Sequence, residues 1–424
     1  MIIQLAVLGL TFISMVEGKR DPKFFGLFNI VKFPNSACNA SEDKTGICYT
    51  EGECTAKGGE ATLSCAQGFG KCCIFSSSCG MGSGVITMRN KVEYLENANY
   101  PRKDVDPSLC MAQIEPINQN ICQIRIDFED FEIDGGSEAK RPCNRDSVKI
   151  TSGTGENNGI GDLCGSNTGQ HVYLPVQDGM GGANIRITTS SRGAEGNLTE
   201  GYKWKIKVTQ IDCLEPEDQE LMAPEGCAQY HTETTGVIRS YNWSPVQRIQ
   251  YPLNLDYAIC FKKPTTACEI NLAQEQNIAA FSTAVGKMKS DQYKDENCGK
   301  DSGCGIAPCI VKSNDEKKTA DYLIIPGAVR TGKPDPSKPT EYTNEDYYCG
   351  VGVGYDTSSD KEDGLGSGPG VFSKLVGPVI IRFHSDDTPG VLVGDGTKED
   401  EKNLRDEIGF SLKYMFRSSC TVTN

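Results

Sequence analysis

The sequence has few basic residues, few histidines and, beyond its first residues, no apolar run long enough to cross a membrane. Its 43 Lys and Arg against 57 Asp and Glu leave a formal net charge of −14. Nucleic-acid binders and proteins of anionic membrane surfaces need basic patches, so this acidity argues against both classes. With 38% hydrophobic residues the chain can still build cores, and 424 residues are enough for two or three domains.

The sequence also lacks the common catalytic motifs. No HExxH, P-loop or dinucleotide-binding glycine pattern is present. The nearest match to a serine-protease nucleophile, KDSGCG at residues 300–305, lacks the flanking glycines and the apolar strand. His171, His231 and His384 have no catalytic context, and we expect them to lie at the surface or to be hydrogen-bonded. We therefore predict that the protein is not an enzyme.

The first residues predict secretion. The run MIIQLAVLGLTFISMV is too short to span a bilayer and is followed by small and polar residues. This pattern is typical of a signal peptide, here residues 1–18, and we expect the mature chain to be extracellular and soluble, with no membrane span. Three Asn-X-Ser/Thr sequons, at Asn39, Asn197 and Asn242, predict glycosylation.

Twenty cysteines, an even number, also favour an oxidising compartment. Residues 38–73 are too few to bury much apolar surface, so we predict a knot with three disulfides. Spacing leaves the pairing open, although adjacent cysteines are expected to have different partners. Zinc is a weaker alternative, because this segment has no histidine. The six cysteines are Cys38, Cys48, Cys54, Cys65, Cys72 and Cys73.

The other cysteines reveal an internal repeat. NICQIRIDF around Cys122 corresponds to TACEINLAQ around Cys268, and LCG at Cys164 to YCG at Cys349. The first unit, residues 79–213, contains Cys79, Cys110, Cys122, Cys143, Cys164 and Cys213. The second unit, residues 227–420, contains Cys227, Cys260, Cys268, Cys309, Cys349 and Cys420. The acidic segment 214–226 is the predicted linker.

Two further cysteines lie in an insertion of the second unit. We expect Cys298 and Cys304 to close a small loop of their own. Which of Cys298, Cys304 and Cys309 pairs with Cys349 stays open.

The apolar pattern predicts an all-β protein. ICQIRIDFEDFEI, WKIKV and VIIRF alternate apolar and polar residues, and Gly, Asn and Pro clusters separate such runs. No stretch of helical length carries a 3.6-residue apolar stripe. Short strands with frequent turns indicate two β-sandwich or jelly-roll domains in tandem, preceded by the small disulfide-rich knot.

The first unit resembles a CUB domain, the extracellular β-sandwich of complement and developmental proteases and of adhesion proteins. The matching segments are CG at Cys79, NYP at residues 99–101, QIRIDFEDFEI and LCG. The second unit is a more divergent match, through ADYLIIPG, FHSDD and GFSLKY. The resemblance implies the disulfides Cys79–Cys110 and Cys143–Cys164, which leaves Cys122 and Cys213 for each other.

The knot resembles the clip domain of arthropod extracellular serine proteases, in GICYTEGEC and the closing KCC. A clip pattern implies the disulfides Cys38–Cys72, Cys48–Cys65 and Cys54–Cys73. The whole order, a clip-like knot before two CUB-like units without a protease domain, is similar to that of secreted arthropod CUB-domain proteins.

The resemblance also raises calcium as a cofactor. Calcium-binding CUB domains use three acidic positions, and calcium needs several hard oxygen ligands. The first unit offers Glu132 and Asp146, and the second offers Asp321 and Asp386. Each set lacks one member, which Glu200 or Asp387 could supply; the alternative is solvated acidic loops.

These features predict a secreted, non-enzymatic binding or adaptor protein that recognises an extracellular protein or glycan. A first alternative is a regulator of extracellular serine-protease cascades, with a protease as partner. A second alternative is a secreted enzyme with an unrecognised site.

Overall fold

The computed structural model describes residues 32–41, 44–80, 82–135, 143–177, 179, 181–191, 201–244, 250–275, 281–282, 321–330, 346–348, 370–374, 377–387 and 409–418. In these residues strands dominate, which confirms the predicted all-β class. The signal peptide, Asn197, and the cysteines Cys298, Cys304, Cys309, Cys349 and Cys420 lie outside the described residues.

The knot is a four-stranded sheet with one short helix. Its elements are β1 (Ala37–Asn39), β2 (Thr45–Tyr49), α1 (Glu51–Ala56), β3 (Glu60–Cys65) and β4 (Gly70–Ile74), and the sheet order is β1-β2-β4-β3. Thr50 begins the helix with a capping box, in which the backbone N–H of each of Thr50 and Glu53 donates to the other's side chain. The knot disulfides are Cys38–Cys72, Cys48–Cys65 and Cys54–Cys73, the pairs that the resemblance implies.

The first unit is a sandwich of two five-stranded sheets. One sheet has the order β12-β9-β14-β7-β5, and the other β11-β10-β13-β8-β6. The strands are β5 (Ser76–Cys79), β6 (Ile86–Met88), β7 (Val92–Asn97), β8 (Ser108–Ile114), β9 (Ile121–Glu132), β10 (Ser147–Ser152), β11 (Asp162–Leu163), β12 (His171–Pro175), β13 (Ala183–Thr189) and β14 (Lys203–Asp212). Its disulfides are Cys79–Cys110, Cys122–Cys213 and Cys143–Cys164.

The long strand β9 shows how the sequence pattern becomes a core. Ile124, Ile126 and Phe128 alternate with more exposed residues and are buried, as the period of two predicts. Phe131 is also buried, three residues after Phe128, because the pairing of β9 with β14 shifts by one residue at Glu129. This β-bulge keeps both phenylalanines on the core face.

The described part of the second unit forms two further sheets, ordered β15-β17-β24-β20-β22 and β16-β25-β18-β23-β21, with β19 paired to β25. Cys227 and Cys260 form a disulfide between β15 and β17. The strands are β15 (Cys227–His231), β16 (Thr235–Arg239), β17 (Asp256–Phe261), β18 (Glu269–Gln274), β19 (Phe281–Ser282), β20 (Tyr322–Ile324), β21 (Ala328–Arg330), β22 (Tyr347–Tyr348), β23 (Val371–Ser373), β24 (Val379–His384) and β25 (Gly409–Arg417).

The predicted linker lies against the first unit. Asp218 is buried and pairs with Lys91 at 2.9 Å, and Ala223 exchanges two hydrogen bonds with the side chain of Gln123. The hydroxyl of Tyr173 donates to the carbonyl of Leu221, in a short 3₁₀ turn at Gln219–Leu221. Because its polar groups are bonded to the first unit, this segment is a docked connection rather than a free tether.

Candidate functional site

The two acidic residues predicted for calcium in the first unit have separate partners. Asp146 is fully buried at the start of β10, and its carboxylate accepts hydrogen bonds from the backbone N–H groups of Asp134 and Ser190 and from the Ser190 hydroxyl. Glu132, at the end of β9, pairs with Lys103 at 2.9 Å. These donors make Asp146 a brace between two loops.

The second unit brings its two acidic residues into contact. The backbone N–H of Asp386 donates to one carboxylate oxygen of Asp321 at 2.7 Å, and the hydroxyl of Tyr251 donates to the other. Asp321 is only 1% exposed. Burial raises its pKa to about 7, and the negative charge of Asp386 adds to the rise, whereas the two hydrogen bonds oppose it.

Within the part of the chain that the structure describes, these side chains do not form a cation cage in either unit; Glu200 lies outside that part. Among the described residues, no group of three or more His, Cys, Asp or Glu side chains is placed to hold a metal ion. Protein groups donate hydrogen bonds to both Asp146 and Asp321, so calcium would share these carboxylates with the donors already present. Calcium binding therefore stays a prediction.

The knot docks on the first unit. The N–H of Thr45 donates to the Tyr94 hydroxyl at 2.7 Å, and Lys44 pairs with Glu96 at 2.9 Å. Buried Ile47 and Ile74 of the knot pack against Val92 and Tyr94 of β7. Only Phe75 separates β4 from β5, so no flexible linker joins the two parts.

The two units meet along an interface that we call the inter-unit seam: β12 and residues 157–170 of the first unit, β15 and residues 240–242 of the second, and Asp256. The backbone N–H of Tyr230 donates to His171 Nε2 at 2.8 Å, and the Tyr241 hydroxyl donates to the His171 carbonyl at 2.9 Å. Further bonds join Asn242 to Asn167 and Ser166, Gln170 to Ser240 and Gln229, Asn158 to Cys227, and Asp256 to Gly159.

Two glycines permit the close approach at the seam. A Cβ on Gly159 would lie 1.8 Å from the Asp256 carbonyl oxygen, and one on Gly165 would lie 1.6 Å from Oδ1 of Asn242. Both glycines also have positive φ, which disfavours other residues. The seam therefore depends on the absence of a side chain at Gly159 and Gly165 as well as on the hydrogen bonds.

Two of the chain's three histidines lie at the seam. The rings of His171 and His231 are 5.1 Å apart between centroids, and His231 also stacks on Phe261 at 5.5 Å. Burial and the nearby Arg125 charge hold the pKa of His171 well below its usual value, and the same two causes lower that of His231 to about 4. His384, at the end of β24, stacks on Tyr322 instead.

Sequence reasoning missed the seam. The available signal was the scarcity of histidine. The chain has only three, and the two at the seam follow the Asn-Gly turn at Gly159 and the domain junction at residues 214–226. The expectation of hydrogen-bonded or surface histidines did not include their burial between two units.

The sequon at Asn242 is buried. Asn242 is 1% exposed, its amide nitrogen donates to the Gln250 carbonyl at 3.0 Å, and its oxygen accepts from Ser166 N–H at 3.1 Å. A glycan on that nitrogen does not fit this arrangement, because it would occupy the seam. Asn39 lies on the exposed edge of the knot, where a glycan has room, and its glycosylation stays a prediction.

Family models match both units. The model of the CUB domain matches residues 79–178, and that of the animal CUB domain matches residues 224–417. The chain carries two CUB domains. CUB domains generally mediate protein–protein interactions, and they are binding modules without catalytic activity. No curated protein matches this chain in sequence.

Solved structures align over most of the chain. The CUB1-EGF-CUB2 domains of rat MASP-1 align at 13% identity and a TM-score of 0.24, covering 78% of this chain and 100% of that one. The same domains of human MASP-1/3 give 16% identity, a TM-score of 0.23, and coverage of 77% and 100%. The full extracellular region of zebrafish Gpr126/Adgrg6 gives 10% identity and a TM-score of 0.22, covering 82% of this chain but 38% of that one.

None of the helices in the described residues has the length and hydrophobicity needed to cross a bilayer.

Proposed function

We propose that the protein is a secreted, non-enzymatic binding or adaptor protein whose CUB domains recognise an extracellular protein or glycan. The observation that supports this most strongly is the way its parts are joined. The knot docks on β7 through Thr45 and Lys44, and the two CUB domains share the inter-unit seam. A preorganised surface loses less conformational entropy on binding than a flexible one does. The predicted signal peptide and the disulfides support the extracellular location.

Affinity capture tests this function. The purified chain, immobilised on a resin, is exposed to extracellular fluid of its source organism, and retained molecules are identified and rebound in purified form. We expect a protein or glycan that binds saturably. A chain that retains no such ligand, although correctly folded by circular dichroism, would contradict the proposal.

Two glycine substitutions test whether the seam matters for that binding. Gly159→Ala places a methyl group against the Asp256 carbonyl, whereas Gly169→Ala has a similar positive φ but no atom within 4 Å of the added carbon. Both variants carry the strain of a non-glycine residue at positive φ, and only the first forces the domains apart. We expect Gly159→Ala to weaken ligand binding at least about tenfold, a loss of about 1.4 kcal/mol, and Gly169→Ala to leave binding unchanged. Equal affinities of the two variants would show that the ligand contacts one domain alone.

Calcium enters the same experiment as a variable. If the carboxylates predicted for calcium form a calcium site when the ligand binds, a chelator should release the ligand from the resin. Added calcium should then restore ligand binding. Isothermal titration of the chain with calcium gives an independent reading, and no heat at millimolar calcium would remove this part of the prediction.

The knot favours a second candidate, a regulator of extracellular serine proteases. Its disulfides join the cysteines in the clip pattern: first to fifth, second to fourth and third to sixth. This function predicts saturable binding to a purified clip-bearing protease or its zymogen, and a change in the protease's activation rate. Absence of both effects would eliminate it while leaving the first function intact.

A further inference from the structure

The geometry at the inter-unit seam requires a neutral His171. Its Nε2 atom accepts the Tyr230 N–H at 2.8 Å, so this nitrogen carries no proton. The His171 carbonyl accepts the Tyr241 hydroxyl, and the residue is only 6% exposed. A proton on Nε2 would place two donors face to face, and the hydrogen bond between the two CUB domains would be lost.

The second histidine makes protonation costlier. His231 lies on β15, 5.1 Å from His171 between ring centroids, and its Nε2 atom is buried without a hydrogen-bond partner in the described residues. A charged His231 would therefore be desolvated and unpaired, and it would lie next to the His171 ring, which must itself be neutral. The His231 ring also contacts the aromatic rings of Phe261 and Tyr414.

The charged groups around the two rings do not compensate added protons. The positive charge of Arg125, on β9, lowers the pKa of both histidines. Its guanidinium donates hydrogen bonds to Asp127 and to the Tyr173 hydroxyl. From the second domain, the Tyr414 ring contacts His231 and the Tyr230 ring contacts Tyr173, and burial raises the pKa of both phenols. Lys262 and Glu220 form an ion pair whose two charges have opposite effects on the pKa of Tyr230. The negative charge of Glu233 raises the pKa of Tyr414. Asp127, the carboxylate nearest in register to His171, is already neutralised by Arg125.

We propose that the seam is an acid-sensitive latch: protonation of His171 and His231 releases the second CUB domain from the first and exposes the edge strands β12 and β15. Each strand ends its own sheet, and each now covers the other. Release therefore uncovers two unpaired edges, surfaces that bind extended peptides or other strands. The latch does not depend on which ligand the protein recognises.

The sign of the pH dependence follows from the two histidines. Their pKa values in the closed state lie below the usual 6.5, so the closed state binds fewer protons than the open one. The stabilisation is complete above pH 6.5 and is lost as the pH falls from there towards about 4. At two pH units below the open-state pKa, one such histidine shifts the equilibrium roughly fiftyfold to a hundredfold towards the open form.

Hydrogen exchange of the full-length protein tests the latch. Exchange at the amides of β15, above all Tyr230, is followed between pH 7.4 and 4.5 and corrected for the intrinsic pH dependence of exchange. We expect the protection of β15 to fall at least about tenfold at pH 4.5 while that of the core strand β9 is retained. Small-angle scattering of the same samples should show a larger radius of gyration. Unchanged protection of β15 across this range would overturn the proposal.

Three substitutions test which histidines cause the loss of β15 protection at acid pH. His171→Gln offers a neutral acceptor near the position of Nε2, so it should keep β15 protected at pH 7.4 and should reduce the loss of protection at pH 4.5. His384→Gln alters the histidine that stacks on Tyr322 and lies 3.9 Å from the Asp256 carboxylate, not against His171 or His231, and should retain the full acid response. If His171→Gln opens the seam at pH 7.4, His231→Phe decides, since it keeps the stacking and removes one titrating ring, and should reduce the response. An acid response of wild-type size in both seam variants would contradict the latch.

Discussion

The two CUB domains hold an aspartate at the same point of the fold and surround it differently. Asp146 directly precedes β10 and Asp321 directly precedes β20, strands that occupy the same place in their sheets. Each carboxylate accepts a backbone N–H from the segment after the neighbouring strand, from Ser190 in the first domain and from Asp386 in the second. Asp146 receives a second backbone N–H and a hydroxyl, whereas Asp321 receives one tyrosine hydroxyl and faces a second carboxylate.

The difference shows that position in a fold does not decide how a buried carboxyl is supported. Backbone N–H groups are fixed donors, and in the first domain they hold Asp146 as a brace between two loops. The second domain buries Asp321 beside Asp386, and the pKa near 7 makes its charge depend on pH. Three predictions test this contrast.

The largest effect is expected from removing the brace in the first domain. Asp146→Ala leaves the two N–H groups and the hydroxyl of its partners without an acceptor, and we expect a loss of about 3–5 kcal/mol in the free energy of unfolding. Chemical denaturation of the full chain measures it. Asp162→Ala is the control, because that carboxylate is half-exposed and 3.9 Å from Lys149, and its removal should cost less than about 0.5 kcal/mol. A loss below about 1 kcal/mol for Asp146→Ala would show that Asp146 does not brace the two loops.

A smaller, pH-dependent effect is expected in the second domain. The folded-state pKa of Asp321 is raised, so its contribution to stability is fully present below pH 3.8 and is lost as the pH rises through about 7. Asp321→Asn cannot ionise, and it should gain about 2–4 kcal/mol relative to the wild type between pH 5 and pH 8. Denaturation curves at both pH values give the difference. An identical difference at pH 5 and pH 8 would contradict the raised pKa of Asp321.

The smallest effect separates the two influences on Asp321. Tyr251→Phe removes the hydroxyl donor and should raise the pKa of Asp321, whereas Asp386→Asn removes the neighbouring charge but keeps the backbone N–H and should lower it. Each shift should be about one unit or less. A titration of carboxyl-labelled aspartate by nuclear magnetic resonance measures both. Shifts in the same direction would show that repacking, rather than hydrogen bonding and charge, controls this group.

Local pattern predicted much of the fold. The alternation in ICQIRIDF predicted which residues of β9 face the core, and the cysteine repeat and CUB-like motifs predicted two sandwiches after a knot. The bulge at Glu129 was not predicted, because it depends on how β14 pairs with β9. The docked path of residues 214–226 was also missed, since acidity and proline are typical of linkers, whereas the contacts of Asp218 and Ala223 involve the first domain.

The seam could not be derived from either repeat alone. His171 and Tyr230 are 59 residues apart in the chain and belong to different domains, so no periodicity within one unit relates them. Gly159 and Gly165 appear in the sequence as ordinary turn glycines, and only the neighbouring domain explains why a methyl group has no room there. Calcium binding by the acidic residues stays a prediction, and the hydrogen-bond donors around Asp146 and Asp321 were not foreseen.

The single residue between β4 and β5 has a consequence for multivalent recognition. Because Phe75 alone connects the knot to the first CUB domain, the separation between these two surfaces is set by packing and not by the statistics of a chain. A ligand with two epitopes at that spacing would meet the second one at a high effective concentration, and a ligand with any other spacing would gain nothing from it. If both surfaces bind the same ligand, their fixed separation would favour ligands whose epitopes have the matching spacing.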